Sequence, residues 1–273
     1  MTYQTLLIEQ HDIALHVTLN RPHCRNAMSL TMVEELAQLF HELEHNQNIR
    51  ALVLKGSEGH FCAGGDIKDM ANARGRALQT QSSPEQKENT NPFFELNRAF
   101  GRMITQADHL PQVVVTVLEG AVLGGGFGLA CVSDVAIACA SAQFGLPETG
   151  LGVIPAQIAP FVVKRIGLTQ ARRIALLGDR FDGTEAVKLG IAHYLCNNTQ
   201  QLDEQLTRVL SKIKRCAPGA NRVTKSLLHQ VGSAEMEALL DQAAQQFAEA
   251  VQSSEGSEGT MAFVQKRVPE WAQ

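Results

Sequence analysis

Ala121-Val-Leu-Gly-Gly-Gly-Phe-Gly-Leu-Ala130 follows a β-prone apolar run, Val113-Val-Val-Thr-Val-Leu118, and leads into a segment that can be helical. Strand, glycine turn and helix start is the order these residues fit. Consecutive glycines let backbone pass where a Cβ would clash, and they admit positive φ. The first N–H groups of a helix lack intrahelical acceptors, and the helix dipole favours negative charge there. An anion, or an oxygen becoming one, fits on such amides. The same glycines also read as a plain tight turn or a close-packing site.

A second glycine bend, Cys62-Ala63-Gly64-Gly65-Asp66, follows another short apolar strand, Ala51 to Lys55. If the two strands are parallel neighbours, both bends lie at one end of a sheet, where ligands usually bind. Two amides from two loops would then meet on one carbonyl oxygen and stabilise an enolate or tetrahedral oxyanion. Neither bend is a phosphate loop, since no GxxxxGK[ST] occurs and Gly124-Gly-Gly-Phe-Gly matches the dinucleotide fingerprint only loosely. No GxSxG nucleophile elbow is present. Among the carboxylates, Glu148 stands out, because it follows Pro147 in a loop with apolar neighbours. Desolvation there would raise its pKa toward acid–base use. An ordinary surface-loop glutamate is the competing reading. Asp134, after the glycine helix, reads as a partner for backbone.

The rest of the chain alternates strands and helices and then turns helical. Thr5–Gln10 and Ile13–Leu19 have β patterns joined at His11-Asp12, and Ser29 can cap a helix from Leu30 to His45. Asn72 to Asn91 is polar and reads as a mobile excursion or lid. Phe93 to His109 suits a helix with Phe94, Leu96, Phe100, Met103 and Ile104 on its apolar face. Gly145 to Pro155 is loop chemistry, Pro160–Ile166 and Gln170–Leu177 read as short helices, and Thr184 could cap Glu185–Leu189. After Asn198 strand signals stop, and Leu202–Cys216, Asn221–Val231 and Ala234–Gln252 are amphipathic. The expected division is a core over residues 1–198 and a helical C-terminal region over residues 199–273.

Composition narrows the function classes. The 273 residues are 44% hydrophobic and 19% charged, with a net charge of −4. That charge gives no general footprint for nucleic acid or an anionic membrane. No apolar run approaches the ~20 residues of a membrane span. The N-terminus carries no signal-peptide pattern, so a cytoplasmic location is expected. Six cysteines (24, 62, 131, 139, 196 and 216) are scattered without CxxC or zinc spacing, so reduced thiols and no metal site are expected.

Several segments together resemble the crotonase (enoyl-CoA hydratase/isomerase) superfamily. Phe61-Cys-Ala-Gly-Gly-Asp-Ile-Lys-Asp-Met70 resembles its first motif and Gly120 to Ala130 its second. Asn20-Arg-Pro with Asn26-Ala-Met28, Phe144-Gly-Leu-Pro-Glu148 with Gly152 and Ile154-Pro155, and Glu258-Gly259 with Phe263 and Lys266-Arg267 also fit. The resemblance implies an α/β spiral of ββα units, a helical C-terminal trimerisation region, and a homotrimer or dimer of trimers. It implies an acyl-CoA thioester substrate and no cofactor apart from the CoA of that substrate. The amides of Ala63 and Gly125 would form an oxyanion hole. Gly65, Asp66, Ile67 and Lys68, in the loop after Ala63, would lie along CoA with Arg25 near them. Phe263 and Lys266 would meet its nucleotide end, from a neighbouring subunit if not from the same chain.

The chain also departs from the family pattern. Hydratases of this family commonly carry two glutamates around the catalytic water. Glu148 matches the second, whereas Gly128 stands where the first belongs. The glycine-rich run after Ile-Pro is replaced by Ala156-Gln-Ile-Ala-Pro160. Pro155 to Gly167 is similar to the branch that hydrates branched glutaconyl-CoA thioesters, namely 3-methylglutaconyl-CoA of leucine breakdown and isohexenylglutaconyl-CoA of acyclic terpene breakdown. The expected function is therefore hydration of such a substrate with Glu148 as acid and base. A Δ3,Δ2-enoyl-CoA isomerase with one glutamate base is the alternative. A non-catalytic acyl-CoA- or RNA-binding relative is a third.

Overall fold

The computed structural model describes residues 3–82 and 91–273. Strands β1 (Leu6–His11) and β2 (Ala14–Leu19) form an antiparallel hairpin, with Asp12 at its turn at φ 50°. Helix α1 (Leu30–Glu44) is capped by the Ser29 hydroxyl, which accepts from the Met32 amide at 3.2 Å. Met32, Leu36, Leu39, Phe40 and Leu43 form its buried stripe. Next come β3 (Ala51–Gly56), α2 (Ile67–Ser82) and α3 (Pro92–His109), then β4 (Val113–Leu118), β5 (Ala121–Leu123) and α4 (Gly125–Val132). The chain continues through β6 (Val135–Cys139), β7 (Gln143–Gly145), α5 (Ala159–Leu177), β8 (Arg180–Phe181), α6 (Gly183–Lys188) and β9 (Tyr194–Cys196). Four helices close it, α7 (Thr199–Arg215), α8 (Pro218–Gln230), α9 (Met236–Gln252) and α10 (Ser254–Val264).

Two sheets result. The larger runs β1-β2-β3-β4-β6-β9, and every pairing in it except the opening hairpin is parallel. The smaller runs β5-β7-β8. β4–β5–α4 and β6–β7–α5 repeat one unit, a strand in the large sheet, a short strand in the small one, and a helix. The segment after β3 follows the same plan in reduced form, with Cys62 bridging Val122 of β5 before α2 begins. The α/β expectation and the ββα repeat are thus both present. Parallel strands covered by helices bury both faces, so β3, β4 and β6 read as nearly continuous apolar runs.

Some sequence expectations change. Asn72 onward is not an excursion, because α2 continues through Ser82; residues 83–90 of that stretch lie outside the described residues. Phe94 does not join the buried face of α3, where Gly101, Met103, Ile104 and Ala107 lie; it is 60% exposed. Asp182, not Thr184, caps α6, its carboxylate accepting from the Glu185 amide at 2.9 Å. The two short helices expected after Pro160 are one element broken at Gly167. The strands β5, β7, β8 and β9 and the helix α10 have no counterpart among the sequence expectations. Strands of two or three residues are too short to show a period.

α7 packs on β4, β6 and β9. α9 packs on α8 and α10, and Leu228, Leu240, Phe247, Phe263 and Val264 of these three helices are exposed. Among the described residues no helix is long and apolar enough to cross a membrane.

Candidate active site

β3 and β4 are parallel neighbours, so the two glycine bends emerge at the same end of the large sheet. What joins them is a ribbon of backbone hydrogen bonds. Phe61 N–H donates to Glu119 O at 2.8 Å, Cys62 N–H to Ala121 O at 2.8 Å, and Leu123 N–H to Cys62 O at 2.9 Å. On the other edge, Met28 N–H donates to Gly64 O at 2.8 Å and Asp66 N–H to Met28 O at 3.0 Å. The 61–66 segment is thereby held between Arg25–Met28 and Glu119–Leu123.

Glycine is required at two positions of the second bend. Gly124 turns the chain at φ 49° into the first turn of α4. A Cβ on Gly126 would stand 2.7 Å from Cys62 Cβ and 2.8 Å from Cys62 O, so the bends could not approach with any other residue there. Gly125 is the first residue of α4, and its amide has no hydrogen-bond partner among the described residues. It is the orphan donor expected of a helix start. The amide of Ala63 differs, since it donates to the carbonyl of Arg25 at 3.0 Å.

Glu148 is the second residue of a 3-10 turn, Pro147–Leu151. A Cβ on Gly124 would lie 2.8 Å from Glu148 Oε1, so the carboxylate stands against the glycine bend. Its Oε2 is buried with no hydrogen-bond partner among the described residues. Burial raises its pKa above the usual carboxylate range, opposed only in part by a backbone hydrogen bond. A half-buried carboxyl with one free oxygen, one residue from an unpaired amide, is placed to pass a proton to and from a ligand held on that amide. The surface-loop alternative does not fit this burial. Phe100 of α3 closes one side, its ring 3.1–3.3 Å from where a Cβ on Gly125 would stand, and Met28 Sδ lies 3.8 Å from the same point.

Gly128 has no room for a side chain. A Cβ there would overlap Ile158 and stand 2.9 Å from Ile104 Cδ1. Ile158, from the segment that replaces the glycine-rich run, fills the space where a second glutamate would begin. Cys62 is fully buried, and burial pushes its thiol up to about 11, which removes it as a nucleophile. Phe127 belongs to the core, edge-on to Phe144 and Phe181.

The remaining sequence candidates divide. Gly65, Ile67 and Lys68 are exposed after the ribbon, and Arg25 is exposed on its far edge in a left-handed conformation at φ 52°. Asp66 is turned inward. Its Oδ2 pairs with Arg21 at 2.7 Å and its Oδ1 accepts from the Lys68 amide at 2.9 Å at the start of α2. Desolvation opposes ionisation, but those two hydrogen bonds outweigh it and hold the pKa below the ordinary value. Asp66 thus shapes the loop, with both carboxylate oxygens engaged by the chain itself. Phe263 is 85% exposed on α10, which packs on α9, and Lys266 follows it in a left-handed conformation at φ 54°.

Asn26, in the Asn26-Ala-Met28 segment, has a role that no local sequence pattern announces. It is fully buried, its amide nitrogen donates to Ser57 O and His60 O, and its Oδ1 accepts from Arg21 N and Ser57 Oγ. It ties the Arg25 segment to the approach of the first bend. Its left-handed φ of 56° is tolerated best by Asn, Asp and Gly. Two surface cavities, about 510 and 220 Å³, lie along β1–α1 and α1–α3; neither includes Glu148 or a bend residue.

The family model described as enoyl-CoA hydratase/isomerase matches residues 9–273. The chain is 57% identical to Pseudomonas aeruginosa AtuE, with 99% of this chain and 100% of that one covered at a TM-score of 0.93. It is also 57% identical to an enoyl-CoA hydratase/isomerase from Marinobacter aquaeolei, covering 98% and 99% at a TM-score of 0.92. A 2,3-dehydroadipyl-CoA hydratase of Escherichia coli is 28% identical over 97% of this chain and 98% of its own. Over nearly its whole length, in sequence and in fold, the chain belongs to the enoyl-CoA hydratase/isomerase family of the crotonase superfamily.

Proposed function

We propose that the chain hydrates the 2,3 double bond of a branched, glutaconyl-type acyl-CoA, with Glu148 as the sole protein acid and base. The thioester oxygen accepts from the Gly125 amide, and from the Ala63 amide once that donor leaves Arg25 O. The ionised Glu148 takes a proton from water as the water oxygen bonds to C3. Electrons of the double bond move toward the thioester, and the two amides hold the developing enolate oxygen. The protonated Glu148 then returns a proton to C2, giving the 3-hydroxyacyl-CoA and the starting carboxylate. Its raised pKa suits both steps.

The observation that carries this reading is the unpartnered Oε2 of Glu148, with Oε1 beside Gly124 and the Gly128 position closed. The dicarboxylic acyl group is supported by the Pro155–Gly167 segment and by a relative named for dehydroadipyl-CoA. One glutamate also suffices to move a proton between C2 and C4, so the Δ3,Δ2-isomerase is the competing reaction. A panel of CoA esters with product identification decides between them. Formation of 3-hydroxyacyl-CoA from a 3-branched glutaconyl-CoA is expected. Failure there, with rapid conversion of a 3-enoyl-CoA, would replace hydration by isomerisation.

We further infer a trimer or dimer of trimers, with Gly65, Ile67, Lys68 and Arg25 along CoA and Phe263 and Lys266 reaching it from a neighbouring copy. The exposed Phe247, Phe263 and Val264 need cover that one chain does not give. Light scattering should return three or six times the 29.7 kDa chain mass.

A further inference from the structure

Gln157 belongs to the segment that departs from the family pattern, and it makes a contact the reaction above does not use. Its Oε1 accepts from Arg98 Nη1 at 2.7 Å, and its Nε2 donates to Asn97 Oδ1 at 2.9 Å. Both partners come from α3. The cluster covers Gly101, where a Cβ would overlap Gln157 and stand 2.5 Å from Arg98 Nη1. Any side chain at 101 would push the guanidinium away.

The cluster is adjacent to the site along two chain segments at once. Phe100, next to Gly101, stands against the Cα side of Gly125, and Ile158, next to Gln157, lies on Gly128. Gly125 and Gly128 are three residues apart on α4, a rise of about 4.5 Å. An acyl chain with its thioester oxygen on the Gly125 amide and its far end directed past Phe100 would be led toward Arg98 and Gln157.

Arg98 is half-buried and pairs with no carboxylate among the described residues; its one hydrogen bond there is to a neutral amide. A guanidinium carries five donors in a fork that matches a carboxylate, and taking a charge partly out of water without a counter-ion is unfavourable. Gln157 fixes one edge of the fork and leaves the others open.

We propose that Arg98 binds the carboxylate at the far end of a dicarboxylic acyl-CoA, with Gln157 as the positioning residue that holds the guanidinium. This rests on the hydratase reading for its substrate class, but it makes its own demand on ligand affinity. The acyl chain is then fixed at both ends, thioester oxygen on the amides and carboxylate on Arg98, with C2 and C3 between them beside Glu148.

The test compares glutaryl-CoA with valeryl-CoA, which has the same five carbons and a methyl in place of the carboxylate. Neither has a double bond, so calorimetry reads binding without turnover. The native chain should bind glutaryl-CoA about 10- to 100-fold more tightly, the range for a hydrogen bond to a charged group. Arg98→Met should abolish that preference and leave valeryl-CoA within about twofold of native. Arg98→Lys should restore part of it, and Gln157→Leu should weaken it. Equal native affinity for the two esters, or an Arg98→Met loss shared equally by both, overturns the proposal. Hydration is assayed separately. A carboxylate preference abolished by Arg98→Met in a chain that hydrates no dicarboxylic enoyl-CoA would sink the hydratase reading and keep this one. Hydration without any preference would do the reverse.

Discussion

The amide of Ala63 donates to the carbonyl of Arg25 at 3.0 Å, while the amide of Gly125 donates to nothing among the described residues. The oxyanion hole of the proposed reaction is therefore half assembled in the free chain. Arg25 and Asn26 both hold left-handed φ values, 52° and 56°, so a small rotation of this segment is a natural way to free the second donor. With ¹⁵N-labelled protein, both amide resonances should move on binding an acyl-CoA analogue, Ala63 by exchanging one acceptor for another. Movement of Gly125 alone would leave the hole with one donor. Ala63→Pro deletes the donor and should cost about 10²–10³ in kcat in a chain whose melting is unchanged.

Glu148→Gln should lower kcat by about 10²–10⁴ and leave the CoA affinity nearly intact. An undiminished rate removes Glu148 from the mechanism.

The pH dependence of the same residue has a definite sign. Burial raises the Glu148 pKa in the folded chain, so the folded state holds its proton more tightly than the unfolded state. Its contribution to stability is full below the unfolded value and is lost as pH rises through the folded value. Denaturant titrations across that window should show native stability falling relative to Glu148→Gln. The acid limb of kcat/KM should have its midpoint above the ordinary glutamate value of 4.5. A native–variant difference that stays flat across the window, or a midpoint at or below 4.5, contradicts the burial argument.

At Gly128, even one methyl group is too much. Gly128→Ala should destabilise the chain by about 1–3 kcal/mol through overpacking against Ile158 and Ile104. Adding Ile158→Ala should recover part of that loss, a coupling that a double-mutant cycle reads from melting curves. Strict additivity of the two changes would show that Ile158 does not close the position.

Asn26→Ala leaves two carbonyls without their donor and two donors without their acceptor beneath the first bend. A loss of about 2–4 kcal/mol is expected, since each unsatisfied buried group costs about 1–3 kcal/mol before relaxation. Because the same residue anchors the Arg25 segment, kcat should fall even well below the melting temperature. A stable variant with native kcat would separate this anchor from catalysis.

The sequence by itself carried the main elements, the two bends and Glu148 as the candidate acid–base residue. Apolar runs such as Val113–Leu118, the Ser29 cap and the positions of glycine are local properties, readable wherever backbone geometry depends on a few neighbouring residues. The motif order was enough to indicate the family, and the departure at Gly128 was visible as a missing carboxylate.

Why that carboxylate is missing is a tertiary matter. The methyl groups that close the position come from Ile104 and Ile158, which lie 24 and 30 residues away along the chain. The inward turn of Asp66 depends on Arg21, and the engagement of the Ala63 amide depends on Arg25. The placing of Arg98 depends on Gln157. Each is a contact between segments distant in sequence, with no periodicity to announce it. Glycines alone could allow two bends to meet; the parallel pairing of β3 with β4 and the ribbon through Cys62 bring the free amide of Gly125, the engaged amide of Ala63 and the buried carboxyl of Glu148 to one end of the sheet.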